Sequence, residues 1–325
     1  MQILLQRRAL VSAIALLGVA AGAQAAEAAF PSGPIRMVVG FAAGGGNDIL
    51  ARVIAKELQQ RLGQSVVVEN KPGAGGLIAG DIVAKAPPNG HTLLLGSMGA
   101  QTVAPSLLAK PPYDPRTGLA AVTLVADSGN VLLVNSKLPY QSAKDVIAAA
   151  QKQPGKLSYG SSGQGSTLHL AGALFAQQAK VEMLHVPYKG NSQAITDLSG
   201  GQVDMAFSGI PPALASVRTG QTRMLAVTTA KRLKSLPDVP TVAESGLPGY
   251  QFSSWYGVLT TGGTPQPVID RLAREIHAIV AKPEVREVFA QQGVEPETST
   301  PAEFQRLIDE ELTRWAKDVK TLGIL

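Results

Sequence analysis

Two glycine-rich turns hold the residues of this chain best suited to chemistry, and the chemistry they suit is the grip on an anion. The first reads Phe41-Ala42-Ala43-Gly44-Gly45-Gly46-Asn47-Asp48, the second Ser161-Ser162-Gly163-Gln164-Gly165-Ser166-Thr167. Each follows a predicted strand and precedes a stretch of helical period. Glycine permits positive φ and close approach to a ligand, and the first N–H groups of a helix have no partner within it. Those amides, with the helix dipole, attract negative charge. One helix end contributes up to about 2 kcal/mol, whereas drying a carboxylate costs several kcal/mol. One turn is therefore too little; two converging turns, helped by Asn47, Ser162, Ser166 and Thr167, suffice. Tight βα turns with Asn47 and Ser166 as plain helix N-caps would read the same way. Asp48 suits a first helical turn but repels an anion unless it is turned away or paired. His169, one turn into the second helix, reads equally as a donor to a carboxylate or as a satisfied, partly buried histidine.

Other chemistries fit poorly. Gly163-Gln164-Gly165-Ser166-Thr167-Leu168 lacks the third glycine of a dinucleotide fingerprint, and Val186 and Pro187 stand where its acidic residue belongs. No glycine-rich turn is followed by Lys-Ser or Lys-Thr, and no serine has the G-x-S-x-G spacing of a hydrolase elbow. His91, His169, His185 and His277 are scattered and cysteine is absent, so neither a metal site nor a cofactor is expected. The basic run Lys231-Arg232-Leu233-Lys234 reads as a solvated loop, and the low net charge gives no case for nucleic acid.

The turns must be held by alternating strands and helices, an α/β pattern. Strands are expected at 35–39, 66–69, 92–95, 131–134, 157–159, 183–186, 203–208 and 225–228. Helices are expected at 49–61, 77–85, 143–151, 167–179, 193–198, 213–217 and 301–322. In the first helix Ile49, Leu50, Val53, Ile54, Glu57 and Leu58 share one face. Val268, Leu272, Ile276 and Ile279 do the same in a helical tail whose default role is cladding. The β-rich stretches 121–134, broken at Asp127-Ser128-Gly129-Asn130, and 252–260 read as two strands crossing between lobes. The fold expected is α/β, two lobes joined by two crossover strands. Its first lobe is discontinuous, 30–127 plus 254–325, and its second is 128–253.

Arg7 and Arg8, an apolar run from Ala9 to Ala21 and the triplet Ala23-Gln24-Ala25 have the order of a secretory leader, with cleavage expected near Ala25. The run of about 13 residues is too short to span a bilayer. Losing the two arginines lowers the net charge from +5 to +3. The location expected is the periplasm.

The chain also resembles the Bug family, the extracytoplasmic solute receptors of tripartite tricarboxylate transporters. The likeness rests on Pro34-Ile35-Arg36, the first turn, Val67-Val68-Glu69-Asn70-Lys71-Pro72-Gly73-Ala74-Gly75-Gly76, and Pro112-Tyr113-Asp114-Pro115. It continues through the second turn, His185-Val186-Pro187-Tyr188-Lys189-Gly190, Gly200-Gly201-Gln202-Val203-Asp204 and Leu236-Pro237-Asp238-Val239-Pro240-Thr241. The resemblance implies a two-lobed periplasmic binding protein, type II-like and of Venus flytrap form, whose two turns hold a small carboxylate, in part through water, and which closes and delivers it to membrane subunits of the transporter. Carried over, the ligand-binding candidates are Phe41, Gly45, Gly46, Asn47 and Asp48 with Ser161, Ser162, Gly163, Gly165, Ser166, Thr167 and His169; Ser97 and Ser208 are weaker. Ala43 stands for the family's proline and Asn47 for its threonine, and Ser208-Gly209 replaces a frequent Asp-Asn. Ser208 in place of an acid predicts that no amino acid binds, since an ammonium would lack a counter-charge. The expectation is a monomeric receptor, not an enzyme, with a sensory subunit or a secreted hydrolase as the alternatives.

Overall fold

The computed structural model describes residues 30–321, so the leader expected from the sequence lies outside the described residues. Strand β1 (Ile35–Val39) is apolar and buried at every position but the exposed Arg36, as suits a central parallel strand. It lies between β2 (Val66–Asn70) and β3 (Thr92–Ser97), parallel to both. Helix α1 (Gly46–Leu62) links β1 to β2 and buries Leu50, Ala51, Ile54 and Leu58; Ile49 and Val53 sit at the edge of that stripe. Helix α2 (Leu77–Ala84) links β2 to β3 and packs on the opposite face of the sheet.

Strand β4 (Leu119–Asn135) organises the remainder of the fold. Its first half pairs antiparallel with β9 (Ser253–Thr261), which pairs antiparallel with β3. Its second half pairs antiparallel with β7 (Met205–Gly209) and β8 (Thr222–Val227). Beyond β7 come β5 (Ser158–Ser161) and β6 (Leu184–Pro187), parallel to each other, with β5 also parallel to β7. Helices α3 (Ala143–Lys152) and α4 (Thr167–Ala179) cover one face of this second sheet, and α5 (Asn191–Gly200) and α6 (Ile210–Arg218) the other.

The break expected at 127–130 is not there. Asp127, Ser128 and Gly129 pair with Trp255, Ser254 and Ser253, and Asn130 pairs with Gly209, so the ladder satisfies these polar residues at the point where the sheets part. Glycine is needed at 129 because a Cβ would stand 2.7 Å from Thr229 Cγ2.

The tail carries α7 (Gln266–Val280), α8 (Pro283–Gln291), a two-residue β10 (Glu295–Pro296) on β4, and α9 (Pro301–Thr321). Helix α7 buries Ile269, Leu272, Ile276 and Ile279 against the back of the first sheet. Helix α9 buries Phe304, Ile308, Leu312, Trp315 and Val319 in one core that also takes in Val38 and Leu94 of the first sheet and Leu132 and Phe207 of the second. Phe304 meets Trp255 edge-on at 4.9 Å between centroids, and Trp315 meets Phe252 at 6.2 Å. Cladding is thus the role of α9, but cladding of both sheets. Phe304→Ala should cost about 3–5 kcal/mol in urea unfolding; a loss below about 1 kcal/mol would show that α9 is peripheral.

Candidate functional site

Strand directions bring the two turns to one place. β4 runs parallel to β3 and β1 and antiparallel to β7 and β5. Since β4 passes from the first sheet into the second, the C-terminal ends of β1 and β3 point toward the second sheet, and those of β5 and β7 point back. Both turns leave those ends. Ser97, closing β3, lies level with Ala126 through their shared partner Tyr256, and Gly209, closing β7, lies level with Asn130. Four residues of strand span roughly 13 Å. The loops are also in contact: a Cβ on Gly99 would stand 3.4 Å from Thr167 Cγ2, and one on Gly165 would stand 3.6 Å from Leu107 Cδ1. Gly76 completes the chain of neighbours, with Ala100 on one side and the Phe41 ring on the other.

In the first turn α1 begins at Gly46, three residues earlier than periodicity indicated, and Gly45 is its N-cap. Asn47 is therefore not a cap; it lies inside the helix, and its Nδ2 is buried without a partner. Asp48 causes the early start. Its Oδ2 accepts from Gly44 N at 2.9 Å and from Arg52 Nε at 2.9 Å, and its Oδ1 accepts from Asn70 Nδ2 at 2.9 Å. The Arg52 guanidinium, aided by the Gly44 and Asn70 donors and opposed by burial, draws the Asp48 carboxyl down to about 2. Asn70 Nδ2 also donates to Phe41 O at 3.0 Å, tying both ends of the turn together. The Asp48 carboxylate is buried and occupied by its own loop, with its charge matched by Arg52.

In the second turn Ser166 is the N-cap of α4, accepting from His169 N at 3.2 Å. Gly163 and Gly165 have φ of 127° and 72°, angles that glycine alone adopts freely. Gly165 N donates to His169 Nδ1 at 3.0 Å, so that nitrogen braces the loop. Ser161 Oγ accepts from Gly163 N at 3.2 Å and pairs with His185 Nε2 at 2.7 Å. The two imidazoles stack at 3.8 Å and 4°, backed by Tyr159, whose centroid is 5.0 Å from that of His185. Burial, with His185 alongside, lowers His169 to about 4, and burial lowers His185 too. His185 lies beside Tyr159 through the β5–β6 register, a pairing that spacing along the chain does not announce.

Ser162 and Thr167 stand half-buried at the turn, and Ser97 is buried at the end of β3. Ser208 is buried on β7; it donates to Gly209 O at 2.8 Å and accepts from Asn191 Nδ2 at 3.0 Å. Intrahelical bonding starts at Ile49 N in α1 and at Leu170 N in α4, so the amides of Gly46, Asn47 and Asp48 and of Thr167 and Leu168 have no acceptor inside their helices. The arrangement offers neutral donors from both sides of one gap. A cavity of about 850 Å³ lies elsewhere, beside α9 and the crossing strands. Asp127, Glu295, Glu297, Glu310 and Glu311 line it together with Lys231, Arg232, Lys234 and Arg314, a lining of mixed charge in which burial raises Asp127 to about 6 and Glu311 to about 7.

A family model described as the tripartite tricarboxylate transporter family receptor matches residues 50–324. The chain belongs to this family. It is 40% identical over 313 residues to a UPF0065 protein from the tcbD-tcbE intergenic region of Pseudomonas sp. (strain P51), covering 96% of this chain and 93% of that one. Among solved structures it resembles R. palustris Rpa4515 with adipate (37% identity, TM-score 0.76, 90% of this chain and 98% of that one). It also resembles the periplasmic binding protein BugD (36% identity, TM-score 0.72, 91% and 99%). Family members are periplasmic binding proteins, and the two-lobed architecture expected from the sequence is theirs. No described helix is long and apolar enough to cross a membrane.

The neutral imidazoles set a pH limit on the second turn. An unfolded histidine titrates near 6.5, whereas folded His169 does so near 4. The stabilisation is complete above pH about 6.5 and is lost as pH falls through about 4. It amounts to about 3 kcal/mol. His169→Gln keeps an acceptor for Gly165 N and removes the titration, so urea midpoints of this variant should fall less over that window than those of the parent. Parallel pH profiles would contradict the assignment.

Proposed function

We propose that the protein is a periplasmic receptor that captures a small carboxylate between two lobes and hands it to the membrane subunits of a tripartite tricarboxylate transporter. The observation that carries this reading is the opposition of two helix starts across one gap, one from each sheet, with their amides and the Asn47 side chain unspent inside the protein. Dipole and amide donors from both sides together reach the several kcal/mol needed to dry a carboxylate. The solved Rpa4515 structure, with adipate, supports the ligand class.

The lobes in this reading are 30–127 plus 254–325 and 128–253, and closure bends the crossing strands where β4 leaves β9 for β7. The ligand contacts are Phe41, Gly45, Gly46 and Asn47 from one lobe and Ser161, Ser162, Gly163, Gly165, Ser166 and Thr167 from the other, with Ser97 and Ser208 at the strand ends. Asp48 and His169 act one step back, as the braces that aim those donors. The site binds and does no bond chemistry: the histidines near it are neutral and occupied in holding the loop, and the nearest carboxylate is neutralised by Arg52. The receptor works as a monomer, after removal of its leader near Ala25.

Thermal-shift screening of the mature chain against carboxylic acids tests the proposal. A ligand at a hundred times its dissociation constant should add about 2.7 kcal/mol of stability. Asn47→Ala should weaken that ligand about tenfold or more, since a hydrogen bond to a charged group is removed, while leaving the unliganded protein as stable as before. Failure of every acid to stabilise the chain, or unchanged affinity in Asn47→Ala, would count against the site.

A further inference from the structure

Thr102 Oγ1, buried just beyond the end of β3, lies 2.9 Å from Met98 O and 2.9 Å from Glu311 Oε2. A hydroxyl has one proton, whereas a carbonyl oxygen and an ionised carboxyl oxygen only accept. With Glu311 ionised, one of the two contacts sets acceptor against acceptor. With a proton on Glu311 Oε2 every contact is satisfied. Oε2 then donates to Thr102, Thr102 donates to Met98 O, and Oε2 still accepts from Trp255 Nε1 at 2.9 Å. Burial acts in the same direction, raising the Glu311 carboxyl to about 7, and the nearby Asp127 adds to the rise.

This carboxyl is connected to the gap by two routes. Met98, whose carbonyl Thr102 holds, stands between Ser97 and Gly99, and a Cβ on Gly99 would lie 3.4 Å from Thr167 Cγ2 of the second turn. Trp255 lies on β9 directly opposite Asp127, so both side chains leave the crossing strands on the face that α9 covers. Asp127 is one residue past Ala126, the residue level with Ser97. The charged groups that share the cavity with Asp127 and Glu311 are Glu295 and Glu297 from the β10 segment, Glu310 and Arg314 from α9, and Lys231, Arg232 and Lys234 from the loop after β8. Arg314 pairs with Asp318 and Arg232 with Glu244. Among the described residues no cation is in ion-pair contact with Asp127 or Glu311.

We infer that Glu311 is a proton site and that the receptor binds a proton together with its carboxylate. This rests on the reading of the gap as a carboxylate site. At the effective dielectric of a protein, an anion about 10 Å from a buried carboxyl raises its affinity for a proton about tenfold. Linkage is reciprocal, so the proton raises the affinity for the anion by the same factor. The hydrogen bonds act with the same sign: an ionised Glu311 draws the Thr102 proton away from Met98 O and loosens the corner that meets the second turn. Asp127 ionises first as pH rises, and its charge helps Glu311 to keep its proton. Affinity is therefore full while Glu311 is protonated and declines as pH rises through its titration.

Isothermal titration of the mature chain with adipate and with benzoate, in buffers of low and high ionisation enthalpy, measures affinity and proton uptake together. Both probes are ionised above about pH 6.5. A probe that binds should do so about fivefold more weakly at about pH 8.5 than at about pH 6.5, and should carry in about half a proton near pH 7.5. Glu311→Gln cannot titrate and should hold the parent's affinity at the lower pH, within about threefold, across the whole range. Asp127→Asn should move the decline to lower pH. In the unliganded chain, side-chain carboxyl carbons followed by NMR should show one glutamate titrating near neutrality, a signal that Glu311→Gln removes. Equal affinities at both pH values, or a decline that Glu311→Gln keeps, would overturn the proton site and leave the carboxylate reading standing. A Glu311 carboxyl that titrates in the ordinary range would overturn it whether or not an acid binds. Binding of neither probe, nor of any other carboxylic acid, would remove the carboxylate reading and the coupling with it.

Discussion

Strand β4 passes through both sheets without a break, and its direction relative to their parallel strands decides where the loops of each half can go. In the first sheet it runs with β1 and β3, and in the second it runs against β5 and β7. The loops at the C-terminal ends of the parallel strands, where helices begin and amides are free, must then face one another. An open α/β sheet has its binding crevice at the carboxyl ends of its strands. Here two such sheets share a strand and present two crevices to one space. Energetics require both, because a single helix start falls short of the desolvation cost of a carboxylate.

Amides can be aimed only if the loops that carry them are held, and each turn is held by different chemistry. The first is tied by a charge: Asp48 collects Gly44, Asn70 and Arg52, so an acidic side chain sits beside an anion site without opposing it. The second is tied by neutral groups: Ser161 with His185, Gly165 with His169, and the two rings stacked on each other. Burial keeps those rings uncharged, which leaves their nitrogens able to accept. Helix α9, packed across both sheets, adds a common support to halves that otherwise meet along β4 and β9.

Much of this was legible in the residues. Helix α4 spans 167–179 as its periodicity indicates, and the glycines of both turns mark where strands yield to helices. The illegible parts share a cause. Asp127-Ser128-Gly129-Asn130 has the composition of a turn, and only its pairing with β9 and β7 makes it strand. Asn47 looks like a cap until Asp48 is seen to draw the helix start back to Gly46. His185 acquires meaning from neighbours that lie far away along the chain, Tyr159 and Ser161. Local period and turn chemistry are written in short stretches of sequence, whereas register and the fate of each polar atom belong to the assembled sheet.

Helix starts from both halves must grip a single anion at the same time for the receptor to work as proposed. Amide proton and nitrogen shifts, followed by NMR while a binding carboxylate is added to the mature chain, report on that grip residue by residue. Gly46 and Asn47 on one side and Ser166 and Thr167 on the other should move together, along one saturable curve with one dissociation constant. Movement confined to a single turn, or two curves with different midpoints, would contradict a shared site.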